Sequence, residues 1–276
     1  MEERGAASEF NQQKSISMLK TAIYVDAENI KMCGGYGMRY DVLVGLANNT
    51  NSVMLRANCY LAEDLERTQR DPDYRQKVYS YHNILRQCGF KIIKKYVRRF
   101  KDEDGNITTK ANADMDLAID ALLQARNLDR IILLTGDGDF LRLIIALQNM
   151  GCRVEVIGFH NVNKELREVA DSYISGFLVP GLLPIAGSTA GDNSDRWQRG
   201  TVANFNQDRG FGFFRYYRLQ DNVLQSETVF FHLSKSTLAS DHYFQEPHRI
   251  FEFRVVDNPA NNNRSEAWDI RLLKEG

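Results

Sequence analysis

The feature that most constrains the fold is an aliphatic segment that runs directly into a pair of aspartates. Residues 131–140 read IILLTGDGDF, so four large aliphatic residues lead toward Asp137 and Asp139. A run of this kind, bounded by turn residues, is typical of a strand buried on both faces of a parallel sheet. Open α/β sheets bind ligands at the carboxyl ends of such strands. The pattern therefore predicts two carboxylates at a binding edge, where a cation or a shared proton relieves their repulsion.

A second predicted strand ends in the same way. Residues 21–25 read TAIYV and are followed by Asp26, and Asn29 lies three positions further on. At such a position Asp26 can be a metal ligand, or it can be the N-cap of the helix that follows. The residue types leave both interpretations open.

Residues 112–126 have the apolar spacing of an amphipathic helix. We expect its inner face to consist of Met115, Ala118, Ile119, Leu122 and Leu123. Asp114 lies in the first turn, where the positive end of the helix dipole favours a carboxylate. Asp116 and Asp120 are four residues apart, and their repulsion favours a metal ion or a nearby Lys or Arg as a partner.

Strand and helix patterns alternate along the first two thirds of the chain. Strands are predicted at 21–25, 53–62, 91–100, 131–134 and 152–159, and helices at 42–47, 74–88, 112–126, 141–150 and 164–173. This alternation predicts an α/β fold, a mainly parallel three-layer sheet with right-handed crossovers. No glycine-rich nucleotide motif follows any of these strands, so no nucleotide cofactor is predicted.

The third predicted strand belongs to a basic segment, KIIKKYVRRFK at 91–101. Two interpretations fit it. Its basic side chains can grip the phosphates of a ligand, or they can protect an exposed sheet edge from pairing with other chains. The residues expected to contact phosphate under the first interpretation are Lys94, Lys95, Arg98 and Arg99.

Composition divides the chain into four parts. Residues 1–18 are polar and aperiodic and are predicted to be a disordered arm, followed by the α/β domain at 19–179. Residues 180–195 are rich in Gly, Pro and Ser and are predicted to be a linker. The short alternating segments of 196–276 predict a small β domain.

Charge and cysteine usage narrow the classes of protein. The net charge of −1 argues against indiscriminate polyanion binding by the whole surface. The chain has no apolar stretch of membrane-spanning length and no secretory signal, so we expect a cytoplasmic protein without membrane contact. The scattered cysteines are typical of reduced thiols and show no zinc-site spacing.

Three separated motifs within residues 19–178 resemble the LabA-like NYN family, a branch of the PIN-like metal-dependent ribonucleases. They are AIYVDAEN (22–29), KANADMDLAID (110–120) and LLTGDGDFLRLI (133–144), followed by GCRVEVIGF (151–159) and Ala170-Asp171. The resemblance implies a PIN-like fold and a divalent ion, Mg²⁺ or Mn²⁺, held by Asp26, Asp114, Asp137 and Asp139. It implies Asn29 and Thr135 as polar neighbours of these acids in the catalytic site, and we expect Lys110 among the RNA-binding residues.

Residues 198–274 resemble a cold-shock-type OB fold. GTVANFN (200–206), RGFGFF (209–214) and VFFH (229–232) are similar to the first strand and the two aromatic RNP-type motifs of that family. Strand alternation places Phe214 and Phe231 in the core, with residues 216–228 as a long insertion. The resemblance implies stacking of exposed rings on single-stranded RNA. The expected RNA-binding residues are Arg209, Phe211, Phe213, Phe230 and His232.

These features predict a metal-dependent endoribonuclease that hydrolyses RNA phosphodiester bonds, with an OB domain that binds single-stranded or loop RNA. Carboxylate-bound Mg²⁺ or Mn²⁺ supplies a nucleophilic water and offsets the charge that builds on the phosphate. The alternative is an RNA-binding regulator or adaptor with little cleavage, and a homodimer or a partner protein stays open. A phosphatase of small phosphate esters is disfavoured because no DxD motif follows the first strand.

Overall fold

The structure is a computed structural model that describes residues 18–101, 107–110, 113–186, 197–246, 248–258 and 264–273. For residues 98–101, 107–110 and 258 the description is limited to the backbone. The predicted N-terminal arm, apart from Met18, lies outside the described residues. The same holds for the predicted linker from residue 187 onward.

Strands and helices alternate in the first domain. The strands are β1 (Leu19–Asp26), β2 (Ser52–Glu63), β3 (Lys91–Tyr96), β4 (Arg98–Lys101), β5 (Ile107–Lys110), β6 (Arg130–Leu134), β7 (Arg153–Gly158) and β8 (Ser172–Ser175). The helices are α1 (Ala27–Met32), α2 (Tyr40–Ala47), α3 (Leu65–Arg70), α4 (Pro72–Gln87), α5 (Asp114–Ala125), α6 (Leu141–Asn149) and α7 (Lys164–Val169). None of the helices described here has the length and apolar character needed to cross a bilayer.

Six parallel strands form one sheet in the order β3-β2-β1-β6-β7-β8, which confirms the predicted parallel three-layer fold. From β1 the chain extends the sheet through β2 to β3, and it then returns to the other side of β1 to add β6, β7 and β8. This reversal creates a topological switch point between the carboxyl ends of β1 and β6. Ligands of open α/β sheets bind at such a point.

The core lies on both faces of β1, whose residues 22–25 are fully buried. Ile23 and Val25 pack with α1, α2 and α4 on one face, whereas Ala22 and Tyr24 pack with α5, α6 and α7 on the other. Successive side chains of a strand point to opposite faces. A strand covered on both faces must therefore be apolar throughout, as the TAIYV segment is.

Two predicted elements of this domain differ from the structure. The strand predicted at 91–100 breaks at Val97, whose amide donates to the Glu63 carbonyl (3.1 Å), and β4 then pairs with β5 in a separate antiparallel hairpin. The helix predicted at 164–173 ends at Val169. The residues after it form β8, a sixth strand that was not predicted.

The prediction that the large apolar residues of α5 face the core is wrong. The buried stripe consists of Leu117, Ala121 and Ala125, because two alanines let the helix approach the sheet closely. Met115 is 68% exposed and Leu123 is 72% exposed. The four large apolar residues on the outer side are Met115, Ile119, Leu122 and Leu123.

The second domain is a five-stranded closed barrel that is compatible with an OB fold, with strand order β10-β11-β13-β12-β9. Its strands are β9 (Trp197–Asn206), β10 (Phe211–Gln220), β11 (Val223–His232), β12 (Ile250–Asn258) and β13 (Arg264–Leu272). Phe214 and Phe231 are fully buried, and their ring centroids lie 4.2 Å apart in a stacked arrangement. The prediction that these two phenylalanines fill the barrel core is confirmed.

The segment predicted to be an insertion, residues 216–228, is the distal part of a continuous hairpin. Pairing of β10 with β11 runs from Phe211 opposite His232 to Gln220 opposite Val223. The two turn residues, Asp221 and Asn222, both have positive φ (51° and 61°). Two such values are typical of a type I′ turn, which matches the twist of hairpin strands. We refer to residues 216–228 as the hairpin arm.

The hairpin arm contacts the first domain. Leu219 and Leu224 are opposite each other near its tip and pack against the core that includes α2. At the tip, Asn222 Nδ2 donates to the carbonyl of Asn48, which follows α2 (3.4 Å). The barrel is therefore attached to the first domain by an apolar contact as well as by the chain itself.

A buried ion network also connects the barrel to the segment that precedes it. Oε1 of Glu252 accepts hydrogen bonds from Nε and Nη2 of Arg199 (3.0 and 2.9 Å), and Oε2 accepts from Nε of Arg271 (2.9 Å). Arg199 also donates to the carbonyls of Leu183 (3.2 Å) and Pro184 (2.7 Å). The beginning of the predicted linker is thus bound to the barrel. These contacts are called the Glu252 network below.

We predict that Glu252→Ala strongly destabilises the protein. The substitution leaves the buried guanidinium of Arg199 without its carboxylate, and breaking a buried ion pair in this way costs about 3 to 5 kcal/mol. A loss of this size is expected in the free energy of unfolding measured in urea. Arg254 lies on the same strand and pairs with Asp269 in a more exposed position, so Arg254→Ala should cost less than about 1 kcal/mol. Equal losses in the two variants would contradict the prediction.

Candidate active site

Asp26 is the last residue of β1, and only 7% of its surface is exposed. Its Oδ1 accepts from the amide of Asn29 (3.2 Å) and thereby caps α1. Its Oδ2 accepts from the hydroxyl of Thr135 (3.0 Å), because pairing of Val25 with Leu134 brings Thr135 beside it. Asp26 is therefore a helix cap and, at the same time, a buried carboxylate at the switch point.

The segment after β6 carries the other strand-end acids. Oγ1 of Thr135 accepts from the amide of Asp137 (3.1 Å), and Oδ1 of Asp137 accepts from the amide of Asp139 (3.0 Å). Asp137 is half-buried, whereas Asp139 is exposed. A chain of hydrogen bonds thus runs from Asp26 through Thr135 to Asp137 and Asp139, with the burial of the acids decreasing outward.

Two asparagines hold this segment in place from opposite sides. Oδ1 of Asn29 accepts from the backbone amide of Gly136 (2.8 Å), and the backbone amide of Asn163 donates to the Gly136 carbonyl (2.9 Å). Oδ1 of Asn163 also caps α7 by accepting from the amide of Leu166 (3.0 Å). Asn29 was among the predicted site residues, whereas Asn163 was missed. Its signal was an asparagine directly before a helical segment, which favours an N-cap.

Asp114 is the first residue of α5 and brings a third carboxyl group into the same electrostatic environment. The pKa of Asp26 is raised from 3.8 to about 6, first because burial removes the carboxylate from water. The negative charges of Asp114 and Asp137 raise this pKa further. The hydrogen bonds from Asn29 and Thr135 oppose the increase because they stabilise the ionised form.

The donor set fits a divalent ion that keeps part of its water shell. Within the described ranges, no group of three or more His, Cys, Asp or Glu side chains is arranged to hold a metal ion. Mg²⁺ does not need such a group, because it retains several waters and is bound by one or two carboxylates together with substrate phosphates. Asp26 and its neighbours therefore fit an ion shared with a phosphate substrate better than a structural metal.

The family of the chain follows from the extent of one match. The NYN domain matches residues 20–183, which is more than half of the chain and includes Asp26, Asp114 and Asp137. This protein belongs to the NYN domain family. The NYN family is a PIN-like family of nucleases.

Two proteins are reported as similar to this chain. The low amplitude and bright protein LabA of Synechococcus elongatus is 28% identical over 162 residues, which cover 56% of this chain and 82% of LabA. Among solved structures, the protein of unknown function VPA0982 from Vibrio parahaemolyticus is 27% identical with a TM-score of 0.46. That match covers 57% of this chain and 93% of the Vibrio protein.

Two lysines predicted to grip phosphate lie on opposite faces of the NYN sheet. Lys94 forms an ion pair with the buried Glu63 (2.7 Å), and Lys95 forms one with Asp116 of α5 (2.9 Å). Neighbouring residues of a strand point to opposite faces, so these two ammonium groups do not share a surface. Within the described residues, both lysines are neutralised by an acid of the NYN domain itself.

The remaining predicted phosphate contacts belong to the β4–β5 hairpin. Its backbone pairing places Arg98 opposite Lys110 and Arg99 opposite Thr109. The side chains of these residues lie outside the described part of the structure. The pairing alone brings the basic segment at 91–101 next to the first residue of the KANADMDLAID motif.

Asp116 and Asp120 have partners within the NYN domain, and these partners differ in kind. Asp116 pairs with Lys95, as described above. A basic partner of this kind was one of the alternatives predicted from the spacing of Asp116 and Asp120. Asp120 accepts a hydrogen bond from the hydroxyl of Tyr60 (2.8 Å), and the Tyr60 hydroxyl oxygen accepts one from Nδ2 of Asn58 (3.0 Å). These bonds fasten α5 to β2 and thereby position Asp114 at the start of the helix.

The aromatic residues predicted to bind RNA meet on the outside of the barrel. Strand register places Phe213 opposite Phe230 and Phe211 opposite His232. The ring centroid of Phe230 lies 5.7 Å from those of both Phe211 and Phe213, and Phe213 is 37% exposed. Arg209 is exposed in the turn that precedes β10. This group has the composition of a surface on which bases can stack.

We predict that Asp26→Asn stabilises the metal-free NYN domain above about pH 6. The folded-state pKa of Asp26 (about 6) lies above its ordinary value of 3.8. The protonated carboxyl therefore contributes its full share of the unfolding free energy below about pH 3.8. The contribution is lost as the pH rises through about 6. Since each pKa unit corresponds to about 1.4 kcal/mol, the wild-type protein should lose at most about 3 kcal/mol that the variant retains.

This prediction is tested by urea unfolding in EDTA across the pH range from about 4 to 8. Asparagine is as good an N-cap as aspartate, so the capping of α1 is preserved in the variant. The difference in unfolding free energy between variant and wild type should grow with pH in favour of the variant. A variant that is less stable than wild type at the alkaline end would contradict it.

Proposed function

We propose that this protein is a metal-dependent endoribonuclease in which the NYN domain cuts RNA and the barrel binds single-stranded RNA. The observation that carries the proposal is the buried Asp26 carboxylate at the carboxyl end of β1, joined through Thr135 to Asp137 at the end of β6. Burial and the charges of Asp114 and Asp137 raise the pKa of Asp26. A buried carboxylate that is repelled by neighbouring acids destabilises the folded protein, and acids perturbed in this way are typical of functional sites. Membership of a nuclease family supports phosphodiester hydrolysis as the reaction that uses them.

In this proposal the metal, Mg²⁺ or Mn²⁺, would be held by Asp26 and Asp137 together with waters and a substrate phosphate, and Asp114 adds negative charge beside them. Such an ion lowers the pKa of a bound water and offsets negative charge on the phosphate. Asp139, which is exposed, contributes a fourth carboxylate further from the sheet. The Thr135 hydroxyl orients Asp26 by donating a hydrogen bond to its Oδ2. A carboxylate oxygen has two lone pairs, so Oδ2 keeps one for another contact.

The two described lysines of the basic segment differ in how easily they could release their acidic partners for a phosphate. Lys94 would have to leave Glu63 unpaired, and an unpaired buried carboxylate is costly. The ion pair of Lys95 with Asp116 is more exposed and can exchange for a phosphate at little cost. We therefore assign RNA backbone contact to Lys95 and not to Lys94. Arg98, Arg99 and Lys110 are assigned with it on their sequence and on the backbone pairing of the β4–β5 hairpin.

We predict that Asp137→Asn abolishes cleavage of labelled single-stranded RNA in Mg²⁺ or Mn²⁺. Loss of a carboxylate that holds the ion removes several kcal/mol of charge stabilisation, so the rate should fall by about 100-fold or more. EDTA should have the same effect on the wild-type protein. Asp73→Asn is the matched control, because Asp73 is an exposed carboxylate in the first turn of α4.

Cleavage that survives both EDTA and Asp137→Asn would refute a metal-dependent site at this position. Equal losses in the Asp73 and Asp137 variants would point to damage to the fold instead. Both outcomes are read from the same gel, with the melting temperature of each variant as the check on folding.

We predict that replacing Phe211 and Phe213 with Ala weakens RNA binding. Base stacking on an aromatic side chain contributes about 1 to 3 kcal/mol per base. Affinity for a short single-stranded RNA, measured by fluorescence anisotropy, should fall accordingly. Gln220→Ala, an exposed substitution at the other end of β10, should leave affinity unchanged. Unchanged affinity in the double variant would assign the barrel to another role.

An RNA-binding adaptor with little cleavage is the second candidate. The observation that favours it is that the described acidic side chains do not form a group of three ligands. RNA that is bound yet stays intact with every divalent metal tested would support the adaptor. Metal-dependent cutting would exclude it.

A further inference from the structure

The turn between α1 and α2 presents two large side chains to solvent. Met32 is 83% exposed and Tyr36 is 77% exposed, and they are the two most exposed large hydrophobic residues in the described part of the chain. Tyr36 has no hydrogen-bond or aromatic partner among the described residues. Its ring therefore does not contribute to the packing of the domain. We refer to residues 32–38 as the rim loop.

The rim loop lies beside the acidic group. It begins one short helix after Asp26, and the Cys33 carbonyl accepts from the amide of His160, which lies just beyond β7 (2.8 Å). The pKa of the Cys33 thiol is raised by partial burial and by the charges of Asp26 and Asp137. The loop thus crosses the carboxyl edge of the sheet next to the switch point.

Backbone hydrogen bonds anchor the rim loop at residues on either side of Tyr36. The amide of Gly35 donates to the Ile30 carbonyl (2.8 Å), and the buried Met38 donates to the Gly35 carbonyl (3.3 Å). Gly34 and Gly37 have φ of +96° and +78°, which glycine adopts without strain. These contacts fix the backbone on either side of Tyr36. A ring presented on a fixed backbone binds a ligand with little loss of conformational entropy.

The size of this surface favours a nucleobase over a protein as its ligand. Stable protein interfaces contain roughly 20 to 30 residues on each side, and large apolar patches mark them. The rim loop offers two large side chains beside an acidic site. One aromatic ring together with a flexible methionine matches the area of a single base, and every base has a face that can stack on such a ring.

We propose that Tyr36 stacks on a base of the bound RNA next to the phosphodiester that is cut, with Met32 against the edge of the same base. The proposal rests on the proposed ribonuclease function and adds to it a contact that selects the position of cleavage. A base held by the ring fixes the neighbouring phosphate relative to Asp26. Purines have the larger stacking surface, so a purine is preferred beside the cleaved bond.

The test uses short single-stranded RNAs with the fluorescent adenine analogue 2-aminopurine at successive positions. Its fluorescence falls when the base stacks on an aromatic ring. The full chain with Asp137→Asn binds these RNAs without cutting, and the chain with Asp137 intact gives the position of the cut. We expect the strongest quenching at the nucleotide beside the cleaved bond.

Tyr36→Ala should abolish this quenching and lower RNA affinity about five- to 100-fold. Tyr36→Phe keeps the ring and should retain both. Tyr79→Ala is the matched control, because Tyr79 is a half-exposed tyrosine on α4. Phe213→Ala should weaken affinity through the barrel without removing the quenching at the cut.

The outcomes separate this proposal from the proposed function. If RNA is cut in a metal-dependent way while Tyr36→Ala changes neither quenching nor affinity, the stacking proposal is overturned and the ribonuclease remains. Equal losses in Tyr36→Phe and Tyr36→Ala would also overturn it, because the hydroxyl and not the ring would then be responsible. If the chain neither binds nor cuts RNA, both proposals fall. If Tyr36→Ala binds RNA normally but loses self-association in sedimentation, the stacking proposal is overturned and the rim loop is a protein contact.

Discussion

The Asp26 carboxylate is held out of water between two strands whose ends point the same way, and it is repelled by Asp114 and Asp137. The fold has to supply the opposing interactions. It does so with the amide of Asn29 and the hydroxyl of Thr135, which donate to the two carboxylate oxygens. The Asn29 amide belongs to the helix that directly follows β1, whereas the Thr135 hydroxyl reaches Asp26 because β1 and β6 are adjacent parallel strands that end together. The acidic group thus depends on the strand order, and the strand order depends on a central strand that is apolar on both faces.

The central strands and the acids at their ends were predictable from the sequence because they follow from strong local signals. The β6 segment is an uninterrupted aliphatic run, and a run of this length has few alternatives to a buried strand. Parallel strands place their carboxyl ends at one edge, so Asp26 and Asp137 were expected at the same edge of the sheet once the fold class was known, whereas their closeness depends on the adjacency of β1 and β6. Phe214 and Phe231 were predictable in the same way from alternation with the outward-facing Phe213.

The features that were missed depend on weaker or longer-range effects. Helical spacing in α5 fits the large residues as well as the small ones, and only close packing on the sheet selects Leu117 and its two alanines. The last strand, β8, is short and only partly buried at the sheet edge, so it has no clear apolar pattern. The separation of Lys94 from Lys95 follows from strand alternation, whereas their acidic partners come from distant parts of the chain.

The barrel is attached to the NYN domain by contacts that the composition of the predicted linker did not indicate. A segment rich in Gly, Pro and Ser is expected to be flexible, yet the carbonyls of Leu183 and Pro184 accept hydrogen bonds from Arg199. The hairpin arm adds an apolar contact with the core that includes α2. The two domains are therefore held by a buried ion network at one place and by a hairpin tip at another.

This double attachment bears on how the two RNA-binding surfaces proposed above would act together. When modules are joined by a flexible chain, the second binding event occurs at an effective concentration set by linker length. Because Leu183 and Pro184 are bound to Arg199 of the barrel, the chain at this point is not free to move as a flexible linker would. In the proposed function, an RNA strand bound to the barrel would then reach the acidic group over a restricted span. Strands of matching length would gain avidity, and strands too short to bridge the two surfaces would gain none.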